Sequence, residues 1–422
     1  MTLDHDAPAK TGRPLYPWVV VGLLWICGFL NYADRQAVFS VFALLGEEFQ
    51  LDDVAKGMIG SSFMWVYALS APFAGYIVDR TSRRRLISVG LGVWSLVCAA
   101  TGTASSYIQL LFYRAAEGLG ESFYFPASMS LLAEYHGPST RSKAMGLHQT
   151  SVYAGTAVGG ILAGYLGMRY GWRMPFYVLG GVGIAYAMLL PWVILEPSRA
   201  SVDPEAPPPP DVPVAGIVEQ ILSVLRIPAA LALLLAFAGA NSVAATLLTW
   251  LPDFVKRTHG LDLLRAATVA GLYFPISNAV GALFGGALAD AIARRVKGGR
   301  VLVQATGLFL GAPCVWIAGT TTSLNVLIVA LIGIGLSKGI YDANIFASVF
   351  DVVQPKVRGT AAGLMNTGGW ALGAAAPTFV GWLSERYGLG FAIGSTAGFY
   401  LGAGCLALLA ARLTARTPKL AD

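Results

Sequence analysis

Residues 110–133 read LLFYRAAEGLGESFYFPASMSLLA, an apolar run long enough to cross a bilayer, with Arg114, Glu117 and Glu121 near its middle. An α-helix turns about 100° per residue, so spacings of three and seven bring these side chains within about 60° of one another. Ionisable groups at bilayer depth are costly and normally face a protein-lined cavity. The stretch therefore predicts one helix of a membrane protein, aimed at an internal polar site whose partners lie elsewhere in the chain.

Composition supports that reading. The 422-residue chain is 55% hydrophobic and 12% charged, with a mean hydropathy of +0.62, where a soluble domain is about 25% charged. Twelve apolar stretches are long enough to span the bilayer: 17–42, 57–78, 86–104, 107–133, 144–167, 174–196, 227–254, 265–289, 301–319, 323–350, 359–384 and 390–412. Their length excludes a closed β-barrel, whose segments are short and strictly alternating. The expected fold class is an all-α membrane protein of twelve spans.

The net charge of +6 is not a nucleic-acid signal, because Lys and Arg concentrate in alternate loops. That asymmetry predicts cytoplasmic termini, and the expected location is the plasma (bacterial inner) membrane. The opening MTLDHDAPAKTGR has no apolar h-region, so no removable signal peptide is expected. Cys27, Cys98, Cys314 and Cys405 all fall in spans without metal-type spacing and read as small packing residues. No metal set, catalytic triad or phosphate-binding loop is recognisable. The expectation is a protein that is not an enzyme, takes no cofactor, and draws its energy from an ion or substrate gradient.

The loop from Pro197 to Pro213, with four consecutive prolines at 207–210, is a linker and not a span. The GIVEQILSVLR that follows suits a short amphipathic helix at the membrane surface. The division is 1–196 for an N-terminal six-helix half, 197–226 for a cytoplasmic linker and 227–422 for a C-terminal six-helix half. An internal repeat agrees with it. A shift of 217 residues matches Gly118 to Gly335, Tyr124 to Tyr341, Pro138 to Pro355, Arg141 to Arg358 and Arg169-Tyr170-Gly171 to Arg386-Tyr387-Gly388. A shift of 211 matches Asp79, Arg83 and Arg84 to Asp290, Arg294 and Arg295. Six spans per half is even, so the repeats are parallel, and a substrate site is expected near the midplane between them, exposed alternately as they rock.

The first span contains Asn31-Tyr32-Ala33-Asp34-Arg35, two opposite charges at mid-depth. A carboxyl that faces a movable arginine changes its proton affinity as a cavity opens and closes. Asp34 and Glu121 are the candidate proton carriers, with Arg114 as their partner. The expected arrangement pairs Asp34 with Arg114 and lets Glu121 line the same cavity, with Glu117 on the same face. Arg35 offers a planar fork for a carboxylate or phosphate. In the second half Lys338 aligns with Glu121 at the 217 shift. It either pairs with Asp342 one turn on or lends positive charge to a bound anion. Tyr32, His148, Gln149, Tyr153, Tyr341 and Asn366 are further candidate substrate contacts.

With the loop GYIVDRTSRRR at 75–85 and its echo GGALADAIARR, these features resemble the major facilitator superfamily of secondary transporters over nearly the whole chain. The resemblance implies gating roles for Gly75, Asp79, Arg80, Arg83 and Arg84, and for Asp290, Arg294 and Arg295. NYADR, RAAEGLGE, YFPASMSLLAEYHGPSTRSKAMG and YGWRMPF are similar to the spinster-like transporters, which are associated with sphingolipid or lysolipid movement. Tyr-x-Asp-Arg with an Arg–Glu pair seven apart is also similar to the anion:cation symporters of sugar acids. This resemblance singles out Arg114 and Glu121 and implies a lesser role for Glu117. The expectation is a proton-coupled secondary transporter, functional as a monomer and in contact with membrane lipid. Its cargo is an anionic or zwitterionic amphiphile or, alternatively, a small organic anion such as a sugar acid.

Overall fold

In a computed structural model, residues 15–195, 214–354 and 357–416 are described, and they form seventeen helices with no strand among them. The first half comprises α1 (Tyr16–Ser40), α2 (Phe42–Phe49), α3 (Asp53–Arg80), α4 (Arg83–Thr101), α5 (Tyr107–Glu121), α6 (Tyr124–Tyr135), α7 (Pro138–Tyr170) and α8 (Met174–Val193). After α9 (Val214–Leu225), the second half comprises α10 (Pro228–His259), α11 (Leu263–Ala293), α12 (Gly299–Thr320), α13 (Leu324–Asp342), α14 (Ile345–Phe350), α15 (Arg358–Tyr387), α16 (Leu389–Ser395) and α17 (Ala397–Arg416). The polyproline stretch lies outside the described residues, whereas the amphipathic segment after it is α9.

Helix ends follow local chemistry. Asp52, Ser82, Ser106 and Asp262 cap α3, α4, α5 and α11 by accepting from backbone N–H groups of the first turn. The span predicted over 107–133 is interrupted between α5 and α6, where Pro126 cannot donate to the carbonyl four residues back. The repeated Arg-Tyr-Gly ends α7 and α15. Gly171 and Gly388 stand at φ +88° and +83° with ψ near 160° and 150°, a region open essentially to glycine alone.

Among the described residues, nine stretches are long and apolar enough to cross a membrane by length and composition. The three sequence-predicted spans that fall short correspond to α3, α5 with α6, and α15. These are the helices that carry the internal charges or meet across the two halves.

One hydrophobic core runs through residues 224–411, and two more fill the first half, joined from the second by Ala245, Leu263 and Ala374. The repeat is visible in the packing. A Cβ on Gly118 would lie 2.5 Å from the Phe63 carbonyl oxygen, and one on Gly335 would lie 2.5 Å from that of Phe274. Both glycines therefore admit a close helix crossing. The hydroxyl of Tyr16, at the start of α1, donates to the Val193 carbonyl at 2.6 Å, so α1 begins where α8 ends. This end of the bundle is the linker side; the other is the far side.

Candidate functional site

The site lies where α1 meets α5. Asp34, Arg35, Arg114, Glu117 and Glu121 are at most 7% exposed, so five ionisable side chains share the interior of the first half. Arg35 donates to Glu121 Oε2 through Nη2 at 2.5 Å and Nε at 3.1 Å, and to Asn31 Oδ1 at 3.4 Å. Its guanidinium lies over the rings of Tyr32, Phe63, Tyr67 and Trp370, with centroids at 4.5, 4.6, 5.1 and 5.7 Å. Arg114 pairs with Glu117 one turn along α5, and its guanidinium also contacts Phe63, 4.8 Å away. Asp34 accepts the Arg35 backbone N–H at 2.7 Å and has no ion pair among the described residues.

The expected Asp34–Arg114 pair is not formed. Each arginine takes a glutamate of α5. Arg114 and Glu117 are three residues apart and meet without orienting a second helix. Arg35 is the α1 charge that reaches Glu121. Glu117 therefore moves from a lesser role into the centre of the network. Arg35 Nη1, Arg114 Nε and Nη2, Glu117 Oε1 and Glu121 Oε1 are buried without a hydrogen-bond partner, so the network retains binding capacity. Ligand atoms of Asp34, Cys98 and Glu117 lie within 4.8 Å of one another. The guanidinium bound to Glu117 opposes a cation there, and the cluster belongs to the charge network.

The second half supplies Lys338, which pairs with Asp342 at 2.5 Å and reaches Asn241 Oδ1 at 3.5 Å. The i, i+4 pair is thus formed, with the Asp342 side chain 31% exposed and that of Lys338 4% exposed. Tyr32, Gln149 and Tyr153 are half-buried and Asn366 is exposed. Two further candidates are fully buried. His148 is fully buried and shares a 2.7 Å hydrogen bond with Tyr124 Oη, which also donates to the Leu24 carbonyl at 2.6 Å. Tyr341 is fully buried in the second-half core. Both are packed within the bundle, and each keeps one side-chain atom, His148 Nδ1 and Tyr341 Oη, without a hydrogen-bond partner.

On the linker side, Arg83 pairs with Glu134 at 2.9 Å and donates to Ser130 Oγ at 3.2 Å, while Arg84 donates to the Pro191 carbonyl. Arg80 is exposed, and the surroundings of Gly75 and of the Asp79 side chain lie outside those described. In the echo, Asp290 pairs with Arg300 at 3.0 Å, and Arg300 also holds Asp351 at 3.0 Å. Arg294 and Arg295 are exposed and form no ion pair among the described residues. The spatial counterparts of Arg83 and Glu134 are therefore Arg300 and Asp351, both at the 217 shift. The second-half loop is six residues longer, which moved the visible match to 211. Carrying the 217 register through the loop would have found Arg300.

The halves meet on the far side, through residues the sequence did not mark. Asp53 pairs with Arg257 at 2.7 Å and accepts from Ser384 at 2.6 Å. Arg257 also pairs with Asp253 at 2.6 Å, and Lys56 reaches Asp253 at 3.4 Å. Ser61 bonds Thr378 at 2.7 Å, and Gln36 donates to the Leu248 carbonyl at 3.1 Å. A far-side cavity of about 480 Å³ is lined by Lys56, Asp253, Lys256, Arg257 and their neighbours. Burial pushes the Asp53 carboxyl up, but hydrogen bonds from Arg257 and Ser384 hold it below its ordinary value. Every hydrogen bond or ion pair described between the halves lies at mid-depth or on this side, so the far side is closed.

Residues 24–378 match the sequence profile of the Major Facilitator Superfamily. The chain is 28% identical to an MFS-type efflux pump of Mycolicibacterium smegmatis, covering 91% of this chain and 88% of that one. It is 26% identical to a hexuronate transporter of Bacillus subtilis, covering 93% and 92%. Its fold superposes on the crystal structure of a bacterial homolog of the human lysosomal transporter spinster, in an inward-facing and unoccupied conformation. That match has a TM-score of 0.83 and 22% identity, over 96% of this chain and 98% of that one. The chain belongs to the Major Facilitator Superfamily and is an integral membrane transporter, not an enzyme.

Proposed function

We propose that the protein is a proton-coupled carrier of a small organic anion, working by alternating access with its linker side in the cytoplasm. One observation carries the reading. The first-half network holds three carboxylates, Asp34, Glu117 and Glu121, against two guanidinium groups, Arg35 and Arg114. Both glutamates are paired, so the excess negative charge falls on Asp34. An uncompensated charge in a dry interior costs several kcal/mol, and one bound proton removes it. Asp34 is the proton carrier, one residue from the arginine that receives the anion.

Anion binding then competes for Arg35. Its fork is shared with Glu121, and Nη1 is free of hydrogen bonds. An incoming carboxylate, sulfonate or phosphate offers the same bidentate geometry as Glu121. Four rings enclose Arg35, which favours a small anion over the lysolipid-like amphiphile. An apolar groove of about 360 Å³ between α4 and α5 is lined by Leu86, Val93, Val97, Leu119 and Phe123, on a face of α5 turned away from Glu117 and Glu121. The hexuronate transporter among the relatives is consistent with this choice.

The test is uptake into proteoliposomes under an imposed pH gradient, with D-galacturonate, sulfoacetate and lysophosphatidate as cargo. Gradient-driven uptake of a small acid, with no movement of the lysolipid, is expected. Lysolipid movement alone would overturn the substrate class, and uptake indifferent to the gradient would overturn the coupling.

A further inference from the structure

We propose that Trp370 latches the second half onto the Arg35 guanidinium, so that the far-side seal loosens when Arg35 leaves Glu121 for a bound anion. The anion step rests on the carrier reading above. The latch itself rests on the contact between α3 and α15.

Those helices run antiparallel along the seal. Asp53 meets Ser384, Ser61 meets Thr378, and Tyr67 meets Trp370 with ring centroids 5.1 Å apart. At about 1.5 Å per residue, the fourteen residues from Asp53 to Tyr67 carry this seam about 21 Å inward, to mid-depth in a hydrocarbon core of about 30 Å. Trp370 is the innermost of these contacts. Further along α15 towards the linker side, a Cβ on Gly368, Gly363 or Gly359 would meet nothing within 4 Å. The seam thus ends on Arg35.

The guanidinium serves both sides of this junction. Its Nε and Nη2 edge holds Glu121 of α5, while its face lies over Phe63 and Tyr67 of α3 and Trp370 of α15. The group is planar and rigid, so its edge cannot be redirected to an anion without moving its face across the rings. Cation–π attraction fades beyond about 6 Å, and the Trp370 contact at 5.7 Å is already near that limit. A small movement of Arg35 therefore removes the second half's share. Trp370 acts here as a positioning residue, through Arg35 and Tyr67.

The test measures the seal and not transport. Spin labels go on T103C and T322C, both exposed at far-side helix ends, in a C314S/C405S background in lipid nanodiscs. Wild type and W370F are expected to show a dominant short-distance population with the same minor longer one. W370L keeps bulk without a ring, and it should raise a longer-distance population about three- to fivefold, the worth of one such contact. R35Q should do the same, and R35Q/W370L should add nothing beyond either single change. Should W370L fail to fold, Y67L must give the same shift from the opposite face. Equal behaviour of W370L and W370F, or additivity in the double variant, would overturn the latch. Such a result leaves the carrier reading standing, and a failure of gradient-driven uptake would leave the latch standing.

Discussion

Helices α5 and α13 occupy equivalent places in the two halves, yet they handle buried charge in opposite ways. At the 217 shift Arg114, Glu117 and Glu121 correspond to Leu331, Ile334 and Lys338. The first half buries an ion pair within α5 and sends Glu121 to another helix. The second half replaces the inner pair with two fully buried aliphatic side chains and closes its remaining charge locally, Lys338 on Asp342. Apolar residues are the cheaper solution, because desolvating two charges offsets most of their attraction. The costly version persists in the half where Asp34 lies beside it. The comparison teaches that buried, unneutralised charge is confined to the first half, which is why the proposed coupling is placed there, while the second half closes its charge locally.

Removing Arg35 should break this comparison most severely. R35Q leaves Glu121 buried and unpaired beside Asp34, which costs about 3–5 kcal/mol of stability, and it removes the charged fork offered to the anion, about 1.5–3 kcal/mol or roughly a 10- to 100-fold loss of affinity. Isothermal titration with D-galacturonate reads it directly. Next comes a transplant. E117Q strands Arg114 in the interior and should destabilise the protein by about 3–5 kcal/mol, seen as a lower midpoint in thermal unfolding. R114L/E117I copies Leu331 and Ile334. It should recover most of that stability while transport stays low, which separates the functional cost of the pair from its structural role.

K338M should have a smaller effect. Asp342 is partly exposed and keeps water as an alternative partner. A several-fold rise in KM, about the 1 kcal/mol typical of a partly solvated pair, is expected with gradient dependence intact. The far-side seal should respond least, and only in acid. Asp53 is held below its ordinary value of 3.8, so its contribution is fully present above about pH 4 and is lost as pH falls through the lowered value. Glu48 shares that sign, because the hydrogen bond from Arg173, opposed by burial and joined by Trp172, holds it low. Far-side spin-label distances should therefore be flat from pH 8 to 5 and broaden only in stronger acid, with D53N broadened throughout.

Much of this was legible in the sequence, for identifiable reasons. Spans follow from the cost of polar backbone in hydrocarbon, and the repeat from charged loop positions that composition does not produce by chance. The RYG repeat has a direct cause in two glycine-only backbone positions. The membership of the charge network was readable because ionisable groups at mid-depth are rare. Its wiring was not. Helical periodicity places Arg114 on the face of Glu117 and Glu121 but does not say whether it looks along α5 or across to α1. The full burial of His148 and Tyr341 was not legible either, because a polar side chain within a span looks the same whether it faces a cavity or a core. Trp370 gave no signal, since an aromatic residue in an apolar span is ordinary until its neighbour is known. Arg300 was hidden by six extra loop residues.

The central claim is that Asp34 carries the proton that moves with the anion. The direct test records proton and anion flux together, with a pH-sensitive dye in proteoliposomes loaded with D-galacturonate. Wild type should move protons with the anion as it runs down its gradient. D34N, uncharged whatever its conformation, should exchange anion for anion at a rate near wild type and move no protons. Proton movement coupled to the anion in D34N at the wild-type ratio would contradict the account.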